Sequence, residues 1–359
     1  MALKIVDSHM HITQWNRING DDMFKSIQEY QQDNNIAAID NMSCSNNNNL
    51  WKGYEMNQTI IGAICKLENP NVFSHGCVYI PDDYTKISQF KFKDQLDEML
   101  ELGLDGVKIC DFKPDAYKLL HVENLLDEYE DYIAACEQKN VHMCWHVADP
   151  DNNWDEDRVT EAARNSGWFY GDDSFPTFEY LINMTYALLD KHPKLNVTLA
   201  HAFFKSFQPE EVEALLNKYP CVTIDLAPGW EMMQGFYANY DAWYRIFREY
   251  SDRFLYATDA NVSTKAEHVN RLAKDVLRFL STDDEFEITV KRYITTKGIC
   301  LQDEQLDNVL YKNHQRVVGK TPKPINKQAL KKYIEKYLPL MPDTFNKQMI
   351  EKYYREKLC

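Results

Sequence analysis

The sequence lacks a CxxC pair, and its cysteine count is nine, an odd number. A disulfide framework is therefore not expected, and reduced thiols are the better reading. Runs of apolar residues long enough to span a membrane are missing. The opening MALKIVDSHMHI has no basic segment leading into a long apolar one, so it does not read as a secretory signal. A cytoplasmic protein is expected. Basic excess is missing too: the formal net charge is −15, which leaves no patch for displacing counterions from phosphates and argues against a nucleic-acid partner. No glycine-rich phosphate loop follows any strand candidate, and no internal repeat appears beyond an alternation of strands and helices.

What is present is an ordinary globular composition, 44% hydrophobic and 26% charged over 359 residues. Strand-like runs recur at 4–12, 37–43, 72–80, 106–112, 141–149, 196–204, 221–228 and 254–261. Amphipathic helix candidates lie between them, at 91–103, 124–140, 177–193, 210–220 and 240–252. Alternating βα units imply a parallel sheet, and eight of them imply a closed (β/α)8 TIM barrel. An open doubly wound sheet is the weaker alternative, for want of the phosphate loop. Two loops exceed what closure needs, 43–57 and 148–176, and long loops at the C-terminal face of a barrel usually carry function. Residues 307–319 read as a closing helix, which bounds a barrel at 1–319 and leaves 320–359 as a helical extension packed on its outside.

Polar residues at the C-terminal ends of the strands are the candidate site. Strand one supplies His9 and His11, which share a face because strand residues alternate. Strand four supplies Lys108, strand five His146 followed by Asp149, strand six His201 and strand eight Asp259. A lone buried histidine is often just a hydrogen-bonded core residue. Four histidines and an aspartate at matching strand ends are what a divalent transition-metal site needs, zinc above all, with iron or manganese as alternatives. His75 and His142 sit deeper in their strands, and His121, His192, His268 and His314 on helices or loops read as structural.

DSHMH, WHVADP, HPKLNVTLAH, YATDA and NVLYKNHQRVVG, spread over residues 4–318, resemble the amidohydrolase superfamily. More narrowly they resemble its amidohydrolase-related branch of TIM-barrel metal-dependent hydrolases. The resemblance implies that His9, His11, His146 and Asp259 bind one divalent ion, most simply Zn. It also implies that His201 and Asp259 act on the attacking water, Asp259 as base and then as acid. In binuclear relatives His201 ligates a second metal and a carbamylated Lys108 bridges the two. Lys108 as a substrate contact is the preferred alternative, with Asp149 beside it or in a supporting position, and Asp7 is expected to orient a ligand. The implied activity is hydrolysis of a C–N or C–O bond (amide, lactone or ester) in a small molecule. The same site also suits a non-oxidative decarboxylase of an aromatic or unsaturated acid, and Trp15, Trp51, Trp154, Trp168 and Trp230 could line a planar pocket for it. A non-catalytic barrel is disfavoured by five intact costly groups. A homodimer is left open.

Overall fold

A computed structural model describes residues 4–15, 22–44, 58–81, 83–120, 125–290 and 292–359. The first eight strand segments are β1 (Ile5–His11), β2 (Ile36–Met42), β3 (Val72–Gly76), β4 (Gly106–Phe112), β5 (His142–Val147), β6 (Val197–Leu199), β7 (Val222–Asp225) and β8 (Phe254–Leu255). A ninth, β9 (Ala260–Asn261), continues the eighth run after a break. All are parallel, in the order β8-β7-β6-β5-β4-β3-β2-β1-β9. Closure comes where β1 meets β9, with Met10 opposite Ala260 and His11 opposite Asn261. The Ser8 amide donates to Tyr256 O at 3.0 Å and the Asp259 amide to His9 O at 2.9 Å, which carries the ladder across the break. The sheet is therefore a closed (β/α)8 barrel.

The strands are buried on both faces, as βα crossovers require. Their outward residues join one continuous apolar core with the surrounding helices, including Phe178–Lys191 and Ala266–Ser281. The barrel interior is partly polar. The Asp40 carboxylate meets His75 Nδ1 at 2.7 Å and His314 Nε2 at 3.0 Å. His75 Nε2 then meets His142 Nδ1 at 2.6 Å, and His142 Nε2 meets Thr198 Oγ1 at 2.7 Å. Thr223 Oγ1 lies 2.7 Å further on. Gly106 is required beside this column, because a Cβ there would fall onto the His75 ring and the His142 carbonyl.

Several expected elements are shorter or interrupted. The run 196–204 keeps strand geometry only over Val197–Leu199. From His201 to Phe204 four successive residues hold φ between 51° and 57°, a left-handed turn with no glycine in it. The expected helix 124–140 breaks into Leu125–Glu128 and Glu130–Lys139. An antiparallel hairpin, β10 (Glu285–Val290) with β11 (Arg292–Lys297), follows the last barrel helix and was not anticipated. Beyond residue 319, the helices Lys327–Tyr337 and Phe345–Tyr353 bury Leu330, Tyr333, Ile334, Ile350 and Tyr353 against the barrel. Asn346 Oδ1 accepts the Trp15 amide at 2.8 Å, tying this segment to the chain just after β1. Among the described residues no helix is long and apolar enough to cross a membrane.

Candidate metal centre

β1 delivers His9 and His11 to the barrel mouth on one face, with ring centroids 5.1 Å apart. His201, raised from the end of β6 by the left-handed turn, brings its ring within 5.2 Å of His9 and 4.7 Å of His146. Asp259 follows β8 with φ 54°. Non-glycine residues in this region cost roughly 1 kcal/mol or more each and persist where surrounding contacts over-determine them. Here the His201 amide donates to Asp225 Oδ1 at 2.8 Å, and the Asp259 amide is fixed on His9 O. Ligand atoms of His9, His201 and Asp259 all lie within 4.8 Å of one another.

The hydrogen bonds settle which nitrogen of each ring faces the centre. His9 Nδ1 lies 2.8 Å from Asp225 Oδ2, and His201 Nδ1 lies 3.0 Å from Ala227 O, so each Nδ1 carries the proton and each Nε2 lone pair looks inward. His11 Nδ1 lies 2.7 Å from Met42 O and its Nε2 lies 3.1 Å from Asp259 Oδ1. A neutral imidazole cannot donate at both ends, so this arrangement demands positive charge, either a second proton or a cation between ring and carboxylate. His146 Nε2 is buried with no hydrogen-bond partner. A bare buried acceptor is costly and calls for a partner. This donor set, neutral imidazoles with one carboxylate, fits a divalent transition ion.

The electrostatics agree with ligand protonation states. Burial pulls the His9 imidazole down to about 4, helped by the Lys108 ammonium and opposed by Asp225. His146 is also held well below the usual histidine range, by burial and then by Lys113 and His201. For Asp259 burial works upward, but the His11 hydrogen bond and the His201 and His11 rings hold it well below the usual carboxylate range.

Lys108 is fully interior. Its Nζ sits 3.1 Å from His9 Nε2 and 3.3 Å from Cys144 Sγ. It thus touches the very nitrogen that faces the centre. A second nearby set of donor atoms, His9, Cys144 and Asp225, shares this position with the ammonium. Asp149 is in an ion pair with Lys113, and its other oxygen accepts from Tyr170 Oη at 2.7 Å. Its carboxylate comes within 3.9 Å of His146 Nε2.

Sequence reasoning missed Asp225 and Lys113. Asp225 is the one charged residue of the run CVTIDLAP, and that was its available signal. Asp7 does not reach a ligand side chain. Its oxygens accept from Tyr30 Oη at 2.6 Å and Thr258 Oγ1 at 2.7 Å, so it braces the residue before Asp259. Burial pushes its carboxyl up to about 7 against the pull of these donors.

The centre forms the floor of a cavity of about 600 Å³, lined by His11, Lys108, His146, His201 and Asp259 at its base and by Lys113, Trp168 and Phe204 higher up. Of the other loop tryptophans, Trp154 packs on Tyr170 and Phe178, and Trp15 packs on Phe24 and Tyr353. Trp51, most of the loop 43–57, His121 and the side chain of Trp230 lie outside the described residues.

No family model matches the chain, and no curated protein matches it in sequence. Solved structures do. An uncharacterized TIM-barrel protein from Bordetella bronchiseptica aligns over 88% of this chain and 98% of its own, with TM-score 0.54 and 13% identity. The chain shares the TIM-barrel fold. A Staphylococcus aureus chain described as an amidohydrolase aligns over 89% of this chain and 100% of its own, with TM-score 0.52 and 15% identity. A dihydroxybenzoic acid decarboxylase from Polaromonas, solved with manganese and 2-nitroresorcinol, covers 88% of this chain and 97% of its own, with TM-score 0.51 and 10% identity.

Proposed function

We propose that the protein is a metal-dependent hydrolase of the amidohydrolase-related kind, cleaving a C–N or C–O bond of a small molecule. The observation that carries this reading is His11 held between the Met42 carbonyl and the Asp259 carboxylate, a geometry that demands positive charge, which a bound cation would supply. His9, His11, His146 and Asp259 would hold the ion, zinc or manganese, with His201 close enough to join them. When bound, such an ion lowers the pKa of a water to about 7 and polarises a substrate carbonyl. The chain's own groups do the rest. His201, with Nδ1–H fixed on Ala227 O, presents a basic Nε2 that orients the water. The ionised Asp259 takes a proton and returns it to the leaving nitrogen or oxygen. The 600 Å³ cavity is of a size to take a small-molecule substrate. Residues 1–319 would form the catalytic barrel and 320–359 an extension that buttresses it.

A second reading keeps the centre and changes the reaction to non-oxidative decarboxylation. It is favoured by the decarboxylases among the structures of similar fold and by Trp168 and Phe204 flanking the cavity, walls suited to a planar ring. Incubating the Zn- or Mn-loaded protein with panels of amides, lactones, esters and aromatic acids separates the two. A new carboxylate with free amine or alcohol supports the hydrolase, and carbon dioxide release supports the lyase. His201→Asn should retain the ion and lose ~10²–10⁴-fold in turnover. Undiminished turnover would remove His201 from the mechanism.

A further inference from the structure

His11 and Asp259 face each other across the seam where the barrel closes. Their spacing depends on the chain that leaves β1, residues 12–15, which has no strand geometry of its own. Main-chain groups outside a ladder must find other partners. Here side chains supply them. Asn41 Oδ1 accepts the Ile12 amide at 3.0 Å. Ser263 Oγ accepts the Gln14 amide and donates to the Gln14 carbonyl, both at 3.2 Å. Asn261 Nδ2 donates to Thr13 Oγ1 at 2.7 Å. Asn346 Oδ1 accepts the Trp15 amide at 2.8 Å, and Asn346 Nδ2 donates to Thr13 O at 3.2 Å. Asn41, Asn261 and Ser263 belong to the barrel. Asn346 comes from the helix Phe345–Tyr353 of the extension, 331 residues beyond Trp15.

Asn346 is 2% exposed, in a helix whose other buried residues are Ile350 and Tyr353. An apolar side chain of the same size would bury there at less cost, because an amide taken from water must recover its hydrogen bonds. Both bonds that Asn346 recovers go to one place, the backbone two and four residues past His11. The extension is anchored first at the other end of the barrel, where the Lys323 amide donates to Asp105 Oδ1 at 2.9 Å just before β4. It therefore runs from the start of the strands to the barrel mouth. There Tyr353, from the same helix as Asn346, packs on Trp15.

From residues 12–15 the constraint passes to the centre through the main chain. The Val262 amide donates to His11 O at 3.1 Å, and the Asp259 amide to His9 O at 2.9 Å. We propose that Asn346 is a positioning residue for the metal centre. By holding Thr13 and Trp15 it keeps the end of β1 against the Asp259 segment and sets the spacing of His11 from Asp259. This rests on the metal-centre reading above, but its first test needs no ion.

Asn346→Leu keeps the volume and removes both bonds. In the metal-free full chain, hydrogen exchange at the Trp15 and Val262 amides should speed up ~10-fold or more, the size expected for two lost hydrogen bonds. Titration with Mn²⁺ should show affinity ~10-fold weaker, as for other groups that orient a ligand. A purely structural Asn346 would lower the urea midpoint and leave Mn²⁺ affinity unchanged. Unchanged Val262 exchange, or unchanged Mn²⁺ affinity in the folded variant, would overturn the proposal. If the parent chain binds no Mn²⁺, the metal reading falls and Val262 exchange alone decides whether Asn346 holds β1. If the variant does not fold, native-state exchange of the parent chain in low urea decides instead. The Val262 amide should then open together with the amides of the helix Phe345–Tyr353, and a Val262 amide that stays closed while that helix opens refutes the positioning role.

Discussion

Asp225→Asn is the sharpest perturbation the structure offers. The carboxylate has two duties. Oδ1 accepts the His201 amide at 2.8 Å and the Ala227 amide at 3.2 Å, while Oδ2 accepts His9 Nδ1–H at 2.8 Å. An asparagine has one oxygen, and the two backbone donors claim it. The amide NH2 must then face His9 Nδ1, which forces the proton onto Nε2, the nitrogen that should ligate. Loss of such a supporting partner costs 10–100-fold in metal affinity, about 1.4–2.7 kcal/mol. Stability should suffer as well. Burial works against the charge, but His9 pairing draws the Asp225 carboxyl from 3.8 down to about 2, a contribution of roughly 2 kcal/mol above pH 4. That contribution is present above the unfolded value and fades as the pH falls through the folded one. Isothermal titration of Mn²⁺ into the metal-free protein, with urea unfolding alongside, measures both. If the variant binds Mn²⁺ within twofold of the parent, the tautomer argument fails.

Other expectations follow from the same geometry. His146→Ala should lose ~10²-fold in metal affinity yet change stability by less than ~1 kcal/mol, since it removes an acceptor that has no protein partner; full metal retention by elemental analysis would remove it from the ligand set. Lys108→Met should tighten binding of a single ion about tenfold or more, because an ammonium now touches His9 Nε2; weaker binding together with a fall from two ions to one would instead mark a carbamylated bridge. The metal-free protein should lose stability as pH drops from 6.5 to about 4, because the unfolded chain protonates His9 in that window and the folded chain resists. The amount is of order 3 kcal/mol and overlaps with the Asp225 contribution, since both belong to one pair. A flat urea midpoint across that range would contradict the burial argument.

The eight-strand rhythm and the strand-end histidines were legible because each is a local pattern: period-two alternation puts His9 and His11 together without knowledge of the fold. Asp225 was visible as a lone charge in an apolar run, but its partner lies 216 residues away across the barrel, a distance that no spacing rule bridges. Asp7 shows the opposite error: alternation puts it on the face of the histidines, but the register shift in β1 between Asp7 and Met10 goes with a carboxylate turned to Tyr30 and Thr258 instead. The left-handed turn at His201–Phe204 had no glycine or asparagine to announce it. It exists because tertiary hydrogen bonds outweigh local preference. The hairpin 285–297 carried a β-branched alternation, EFEITV and RYITTK, yet it falls outside the barrel's repeating unit, and so attention to that unit passed over it.

The polar column inside the barrel has a direction. Asp40, held as an anion by His75 and His314, can only accept, so His75 must give it the Nδ1 proton and His314 the Nε2 proton. His75 Nε2 is then left to accept from His142 Nδ1–H, and His142 Nε2 to accept from Thr198, in an order set by one carboxylate. Each link copies the orientation of the one before. An Asp40→Asn substitution would thus act as a reversal of sense along the file, and ring-nitrogen chemical shifts at His142, two residues removed from the change in bonding order, would register it.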